Sequence, residues 1–202
     1  MRRFVDIFVA TFILMALSPI FLLISLVIVL DSPGKPFYGG WRVGKDGRRF
    51  RMWKFRTMVT NADRIGSAIT TPNDRRITRF GRFLRKSKLD ELPQFFNLLL
   101  GDLTLVGPRP EDPGITEQYT LEQKQIFQVK PGITGPTQLR YTVIEGEQIP
   151  DGEDAQQYYI QHILDQKLQL DLEYLRQRTV ASDLHVISQT VLLMARAIAP
   201  GN

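Results

Sequence analysis

The sequence contains no cysteine and only two histidines among its 202 residues. The absence of cysteine excludes disulfide bonds, thiolate nucleophiles and zinc sites with sulfur ligands. His162 and His185 are too few for a metal site built from several imidazoles. The glycine-rich signatures of P-loop and Rossmann phosphate sites are also missing, as is the G-x-S-x-G motif of serine hydrolases. Carboxylates and cationic side chains are therefore the remaining candidates for catalysis.

Acidic residues are outnumbered, with 21 aspartates and glutamates against 26 lysines and arginines. The resulting net charge is +5, and the isoelectric point is about 9.6. A basic excess favours anionic partners, which include nucleic acid, anionic lipid headgroups and phosphorylated substrates. The length predicts one domain together with a membrane element.

Charged residues are missing from residues 7–30, a run long enough to cross a bilayer as a helix. Ser18 and Pro19 lie in the middle of this run. Proline has no N–H to offer the Met15 carbonyl, and the residue before a proline is disfavoured in helical geometry. The Ser18 hydroxyl can bond a freed carbonyl one turn back. The sequence therefore predicts a break between two helical halves.

The two halves, 7–18 and 19–30, each extend about 18 Å as helices, too short for a hydrocarbon core of about 30 Å. Arg2 and Arg3 precede the run, and further cations follow it from Lys35 onward. The positive-inside rule assigns both basic flanks to the cytoplasm, which a re-entrant hairpin satisfies and a single span does not. A transmembrane helix kinked at proline is the alternative. The length of the run disfavours a cleaved signal peptide.

Hydrophobic periodicity and turn residues predict the elements of the remaining chain. The expected elements are a turn-rich segment at 31–40, a strand at 48–58, a short helix capped by Thr60 or Asn61, an amphipathic helix within 74–89, a buried helix within 90–102, a strand and rigid loop at 103–110, a second rigid loop at 130–136, an exposed acidic segment at 144–157, and helices at 158–177 and 183–198. Ser182 is the expected N-cap of the last helix. The cations and aromatic residues of 74–89 also suit a helix lying in the membrane surface.

Two adjacent acids, Asp90 and Glu91, follow the basic residues Arg85 and Lys88. A capping box starting at Ser87, or Asp90 itself as a helix cap, would place a carboxylate at the positive end of a helix. That placement and the neighbouring cations favour the ionised form of the carboxylate. An ionised carboxylate can attack phosphorus to form an acyl phosphate, or it can bind Mg²⁺. A plain helix cap without chemistry is the alternative.

A second candidate is Arg109, which lies between Pro108 and Pro110. The fixed φ angles of the two prolines hold the backbone, so the guanidinium is presented at low entropic cost. A guanidinium fork suits phosphates and planar bases. A rigid turn with a surface arginine is the alternative.

These motifs occur in the same order as in the monotopic phosphoglycosyl transferases, and the chain resembles this bacterial family over nearly its whole length. The block at 76–110 is the most specific part of the resemblance. The matching segments are the break at Ser18-Pro19, RVGKDG (42–47), KFRTM (54–58), RITRFGRFLRKSKLDELPQFFNLLLGDLTLVGPRP (76–110), PGITG (131–135) and LDLEYL (170–175).

The resemblance implies transfer of a sugar 1-phosphate from a UDP-sugar to a polyprenol phosphate such as undecaprenyl phosphate, with release of UMP. It implies covalent catalysis, in which Asp90 is the nucleophile and Glu91 assists. Arg85 would bind phosphate, and the loop Pro108-Arg109-Pro110 would bind the nucleotide. Mg²⁺ is the implied cofactor. Asp171 would lie near the metal or the substrate, so Asp90 and Asp171 are the expected metal ligands.

The resemblance also implies a mainly helical α+β fold with short β segments and interfacial amphipathic helices. A re-entrant membrane hairpin is expected at 1–31 and a catalytic domain at 32–202. The expected location is the bacterial inner membrane, in contact with phospholipid and with the active site on the cytosolic face. Nucleic acid is not an expected partner, whereas the sugar, the polyprenol and the oligomeric state are left open. Competing hypotheses are a glycosyl transferase that moves sugar without its phosphate, and a basic membrane-surface protein that binds anionic lipid or nucleic acid without catalysis.

Overall fold

The computed structural model describes residues 2–62, 65, 70, 74–141, 150 and 154–198. Within these residues the chain is mainly helical, with a bent pair of N-terminal helices and two small two-stranded sheets, so the predicted fold class is confirmed. The helices are α1 (Arg2–Ala16), α2 (Ser18–Asp31), α3 (Arg79–Lys86), α4 (Gln94–Leu100), α5 (Pro113–Thr116), α6 (Pro136–Tyr141), α7 (Ala155–Tyr158), α8 (Leu164–Arg176) and α9 (Val180–Ile198). The strands are β1 (Phe37–Val43), β2 (Arg49–Phe55), β3 (Thr104–Val106) and β4 (Gly132–Thr134).

Helices α1 and α2 meet at a bend of 62°, where the sequence predicts a break. The Ser18 hydroxyl donates to the Met15 carbonyl at 2.9 Å, because Pro19 has no N–H for that carbonyl. In the described ranges no single helix is long and apolar enough to cross a membrane. The bent pair together meets the requirement of length and composition. The predicted broken apolar segment is therefore confirmed.

The first turns of α1 contact the rest of the chain. The Arg3 guanidinium donates to the Leu98 carbonyl at 2.5 Å, at the C-terminal end of α4. The buried Asp6 carboxylate accepts from the Thr104 hydroxyl at 3.0 Å and from the Leu105 N–H at 3.1 Å. Charged side chains therefore anchor the start of α1 to α4 and to strand β3.

The end of α2 is anchored to the folded region by Arg56, the residue that follows strand β2. The Arg56 guanidinium donates to the Ser32 and Pro33 carbonyls, at 2.6 Å each, just beyond the last turn of α2. Beside it, the Asp31 carboxylate accepts from the Phe80 N–H at 3.1 Å, at the start of α3. Both ends of the bent helix pair thus contact the folded region that follows the pair.

Two buried apolar clusters position the remaining elements. The first packs α2 against the segment with the two adjacent acids, and its members are Phe21, Ile24, Ile28, Phe55, Leu84 and Leu92. Gly81 allows α3 to approach this cluster closely, because a Cβ there would lie 2.1 Å from the Thr57 carbonyl oxygen. The second cluster holds α8 in place, and its members are Ile115, Tyr119, Ile126, Tyr141, Tyr159, Ile163, Leu164, Leu168 and Leu172.

Both sheets contain a strand that the sequence analysis missed. Strand β2 is confirmed, but its antiparallel partner β1 begins at Phe37, inside the segment expected to be turn-rich, so that prediction is wrong for residues 37–40. Gly39 in β1 faces the Trp53 ring, which a Cβ at this position would approach to 3.1 Å. The predicted strand β3 is also confirmed. Its parallel partner β4 lies inside the segment predicted as a second rigid loop, because β3 supplies the hydrogen bonds that make it a strand.

Helix boundaries differ from the sequence prediction at the last helix. Helix α9 begins at Val180, so the predicted Ser182 N-cap is wrong. Thr179 takes that position, because its hydroxyl accepts from the Ser182 N–H at 3.0 Å while the Ser182 hydroxyl accepts from the Thr179 N–H at 2.9 Å. The short helix expected after Thr60 or Asn61 and most of the acidic segment 144–157 lie outside the described residues.

Candidate active site

Asp90 and Glu91 lie in a short 3₁₀ turn, Leu89–Glu91, between α3 and α4. Lys88 adopts the left-handed conformation, with φ of 59°, and this turns the chain sharply out of α3. The Ser87 hydroxyl donates to the Phe83 carbonyl in the last turn of α3. Neither predicted capping arrangement is therefore present. Ser87 lies at the C-terminal end of α3 and starts no capping box, and Asp90 does not cap α4, whose N-cap is Pro93.

Glu91 is held by two cations that come from distant parts of the chain. Lys54, on strand β2, donates to a Glu91 carboxylate oxygen at 2.8 Å. The Arg109 guanidinium lies 3.9 Å from the same oxygen. Burial by itself raises the pKa of Glu91, but the charges of Lys54 and Arg109 and the hydrogen bond outweigh it and hold this pKa well below its usual range. Glu91 is therefore ionised at neutral pH.

Asp90 has a different environment although it is the next residue in the sequence. Its side chain is buried, with 7% of the residue exposed. Among the residues that the structure describes, no donor forms a hydrogen bond with its carboxylate. Burial raises the pKa of Asp90 to about 6; Lys54 opposes this rise and the negative charge of Glu91 adds to it. The expectation that cations would simply favour ionisation is therefore wrong, because desolvation of the carboxylate outweighs them.

Arg85 approaches the acid pair from the C-terminal end of α3. Its Nε donates to the Thr57 hydroxyl at 2.8 Å, which fixes the plane of the guanidinium. Burial lowers the pKa of Arg85, and the negative charge of Asp90 opposes this effect. A guanidinium that is fixed at Nε and partly desolvated is well suited to bind a phosphate through its terminal nitrogens.

Asp171, on helix α8, holds the loop that carries Arg109. One carboxylate oxygen accepts from the Arg109 N–H at 3.2 Å, and the other accepts from the Thr137 N–H at 3.4 Å. Asp171 is buried, and burial raises its pKa to about 6 although these hydrogen bonds oppose the rise. The carboxylate therefore joins the proline-flanked loop after β3 to the start of α6.

Comparison with known proteins decides the family. The sequence matches the family described as "Bacterial sugar transferase" over residues 1–197. The chain belongs to the bacterial sugar transferase family. It is 37% identical over 195 residues to the UDP-glucose:undecaprenyl-phosphate glucose-1-phosphate transferase of Escherichia coli (strain K12), an alignment that covers 95% of this chain and 39% of that protein.

The names of two further relatives contain N-acetylgalactosamine instead of glucose. The UDP-N-acetylgalactosamine-undecaprenyl-phosphate N-acetylgalactosaminephosphotransferase of Aeromonas hydrophila is 40% identical over 141 residues, which cover 68% of this chain and 33% of that protein. The putative undecaprenyl-phosphate N-acetylgalactosaminyl 1-phosphate transferase of Bacillus subtilis (strain 168) is 39% identical over 145 residues, covering 69% of this chain and 77% of that protein. The chain spans about two fifths or less of the length of the Escherichia coli and Aeromonas hydrophila relatives.

The structure brings four of the predicted site residues together directly. Asp90, Glu91, Arg85 and Arg109 interact through the contacts and charges described above, and Pro108 and Pro110 flank the last of these. Asp171 is connected to this group through the backbone N–H of Arg109. Ser18 and Pro19 lie apart from the group, in the bend between α1 and α2.

Sequence reasoning missed the residues that support these groups from a distance. Lys54 is one, because its pairing with Glu91 joins strand β2 to the turn after α3. Behind the Arg109 loop, the Glu111 carboxylate accepts from the Tyr159 hydroxyl at 2.6 Å and pairs with the buried Lys167 at 3.3 Å. The only signal for Lys54 was its place in the KFRTM segment of the family resemblance, and Glu111 had no local signal.

Proposed function

We propose that this bacterial sugar transferase moves a sugar 1-phosphate from a UDP-sugar to undecaprenyl phosphate and releases UMP. The observation that carries the proposal is the asymmetric acid pair, in which a buried Asp90, with no hydrogen-bond donor among the described residues, lies beside a Glu91 held by Lys54. The printed names of the Escherichia coli and Aeromonas hydrophila relatives, which contain a UDP-sugar and undecaprenyl phosphate, support the choice of substrates.

Asp90 is the proposed nucleophile. One of its carboxylate oxygens attacks the phosphorus bonded to the sugar, and the bond from that phosphorus to the bridging oxygen breaks. The electron pair of that bond leaves with UMP, while the sugar phosphate remains on Asp90 as an acyl phosphate. A phosphate oxygen of the acceptor then attacks the same phosphorus, and the Asp90 carboxylate departs unchanged.

The neighbouring cations have separate roles in this proposal. Glu91 is engaged by Lys54 and Arg109, so it orients these two cations and leaves the attack to Asp90. Arg85 and Arg109 neutralise the diphosphate as negative charge develops on the departing UMP. The hydrogen bond from the Arg109 N–H to Asp171 fixes the loop that presents this guanidinium.

Mg²⁺ is the proposed cofactor, and the Asp90 carboxylate would be its protein ligand. The described residues contain no group of three or more acidic or histidine side chains that would hold a metal ion alone. Mg²⁺ commonly binds through one or two carboxylates together with substrate phosphates, so Asp90 suffices as a protein ligand. When bound, the ion would neutralise charge on the diphosphate. Both oxygens of Asp171 already accept backbone N–H groups, which supports a positioning role for Asp171 beside its predicted role as a ligand.

We further propose that α1 and α2 enter the inner membrane from its cytosolic face and turn back at Ser18 and Pro19. The contacts of both helix ends with the folded region support this topology, because a single span would carry one end to the opposite face. Residues 1–31 would then form the membrane unit, and residues 32–202 would form the catalytic domain at the cytosolic face.

Product analysis tests the proposed reaction. The protein in vesicles is incubated with Mg²⁺, undecaprenyl phosphate and a panel of UDP-sugars, and the released nucleotide is identified by mass spectrometry. UMP together with a diphosphate-linked glycolipid is the expected result, and the Asp90→Asn chain should release neither. Release of UDP would instead indicate a glycosyl transferase. Lipid binding without turnover, unchanged in Asp90→Asn, would indicate a basic membrane-surface protein.

A further inference from the structure

An open groove lies between the end of α2 and helix α3, separate from the acid pair and its arginines. It encloses about 520 Å³. Its walls are Val27, Leu30 and Asp31 from α2, and Arg79, Phe80 and Phe83 from α3. Leu30 is 76% exposed and Phe83 is 55% exposed, so the described residues leave both apolar walls open.

The groove combines an apolar lining with a cationic edge. The Phe80 and Phe83 rings stack at a centroid distance of 5.7 Å and form a continuous apolar wall. Asp31, the one acid among the described lining residues, accepts from the Phe80 N–H, so it acts at the positive end of α3. Arg79 and the neighbouring Arg82 are exposed on the same helix. Apolar side chains beside exposed arginines match a lipid chain that ends in a phosphate.

Helix α3 links this groove to the acid pair. Arg79 lies in the first turn of α3 and Arg85 in its last turn, about 9 Å further along the helix axis at 1.5 Å per residue. The chain then turns through Lys88 directly to Asp90. A phosphate near the arginines of α3 would therefore have a short cationic path to the proposed nucleophile.

Leu30, which lines the groove, belongs to a series of exposed apolar side chains on α2. Leu22, Leu26 and Leu30 are all exposed on α2, with exposed fractions of 74%, 55% and 76%. If α2 lies in the membrane as proposed, a lipid chain can enter the groove from the bilayer without crossing water. A groove bordered by exposed apolar side chains of α2 suits a substrate that arrives within the membrane.

We propose that this groove binds the acceptor, a polyprenol monophosphate, with its first isoprenyl units between Leu30 and Phe83 and its phosphate directed past Arg79 and Arg82 toward Arg85 and Asp90. The inference rests on the proposed function and adds the acceptor site to it. A phospholipid shares the combination of apolar chain and phosphate, but the acceptor alone must deliver a phosphate oxygen to the phosphorus held on Asp90. The position of the groove on the helix that leads to Asp90 favours the acceptor.

A matched pair of variants tests the site by kinetics. Leu30→Gln changes the groove, whereas Leu23→Gln makes the same change on the same helix, at an exposed position outside the groove lining. Leu30→Gln should raise the apparent KM for undecaprenyl phosphate about fivefold or more, because it removes apolar contact with the chain. The single-turnover release of UMP without acceptor should stay unchanged in both variants. Equal KM changes in the two variants, or loss of the UMP burst in Leu30→Gln alone, would overturn the site.

Photo-crosslinking tests the site without requiring turnover. A polyprenol monophosphate with a diazirine near its phosphate is irradiated with the wild-type protein in phosphatidylglycerol vesicles, and the adducts are mapped by mass spectrometry. Adducts at Leu30 or Phe83 that unlabelled undecaprenyl phosphate removes, and extra phosphatidylglycerol does not, support the proposal. Equal competition by phosphatidylglycerol, or adducts elsewhere only, overturns it. Failure of the wild-type protein to release UMP would instead overturn the proposed function and leave the crosslinking result to decide the binding site.

Discussion

Lys54 donates to Glu91 at 2.8 Å, and this contact makes the two adjacent acids unequal. Glu91 has a cation at bonding distance and its pKa is lowered, whereas Asp90 is buried without a hydrogen-bond donor among the described residues and has a pKa of about 6. A carboxylate without hydrogen bonds is the better nucleophile, because attack does not require a donor to be displaced. The contact therefore supports Asp90 as nucleophile and Glu91 as the residue that holds the cations.

Replacement of Asp90 should abolish activity and stabilise the fold. The charge of Asp90 is desolvated in the folded state, so Asp90→Asn should raise the free energy of unfolding at pH 7.5 by a value of the order of 2 kcal/mol. Activity is measured by UMP release, and stability by thermal unfolding followed through tryptophan fluorescence. Asp46→Asn, at an exposed turn residue, is the control and should change neither quantity. A destabilised Asp90→Asn protein would contradict this account of the burial.

The rate of the first half-reaction should fall in acid because Asp90 must be ionised to attack. With the pKa of Asp90 at about 6, the fraction of nucleophile in its reactive form is nearly full at pH 8 and half at about pH 6. Below that value the single-turnover rate of UMP release should fall about tenfold for each pH unit. A rate that stays constant down to pH 4.5, close to the usual pKa of an exposed carboxylate, would exclude the buried Asp90 as the group that titrates.

Much of the architecture could be predicted because its causes are local. The break at Ser18 and Pro19 follows from one missing N–H, and the Ser18 hydroxyl bonds Met15 as expected. Strand β2 alternates apolar and charged residues, so its period was readable in the sequence. Strands β1 and β4 were missed because each contains glycine and adjoins turn residues, and each becomes a strand through the partner that it pairs with.

The candidate site was predictable in composition but not in geometry. The acid pair and the arginine loop could be chosen from the sequence, with the family resemblance supplying their roles. Two contacts join residues that are distant in sequence. Lys54 pairs with Glu91, and Asp171 accepts a hydrogen bond from the Arg109 backbone N–H. Such contacts depend on how the elements pack, so no local pattern in the sequence indicates them.

Removal of the Lys54 charge should move the acid limb of the pH profile. Lys54 lowers the pKa of Asp90 and of Glu91, so Lys54→Met should raise both and shift the acid limb to higher pH. Lys54→Arg keeps the charge and should leave the limb near its wild-type position. The measurement is the single-turnover rate of UMP release between pH 5 and 9 in the three proteins. A lower rate with an unshifted limb in Lys54→Met would mean that Lys54 does not act on the acid pair electrostatically.

Loss of the two hydrogen bonds that Asp171 accepts should weaken binding of the UDP-sugar more than it slows turnover. An asparagine can accept only one of the two N–H groups well, so Asp171→Asn frees either the Arg109 loop or the start of α6. We expect KM for the UDP-sugar to rise about tenfold, the usual effect of losing one hydrogen bond to a charged group. Asp165→Asn, on the exposed side of the same helix, is the control. An unchanged KM with a reduced kcat would place Asp171 nearer the reacting atoms, as a metal ligand would be.

The bend at Ser18 and Pro19 predicts that both flanks of the helix pair are reached from the cytosolic face. Because the sequence lacks cysteine, a single introduced cysteine reports without background. Arg2→Cys lies in the first turn of α1, and Lys35→Cys lies shortly after the end of α2. Both positions are exposed. In inverted membrane vesicles, whose cytosolic face is outward, a membrane-impermeant maleimide should label both.

Labelling of only one position in inverted vesicles, and of the other in right-side-out vesicles, would instead establish a kinked single span. The double variant Ser18→Ala, Pro19→Ala makes the comparison sharper, because it restores the N–H for the Met15 carbonyl and removes the hydroxyl that replaces it. A straighter pair cannot keep both the Arg3 and the Arg56 contacts. We therefore expect this variant to lose UMP release and either to expose one cysteine on the opposite face or to leave the membrane.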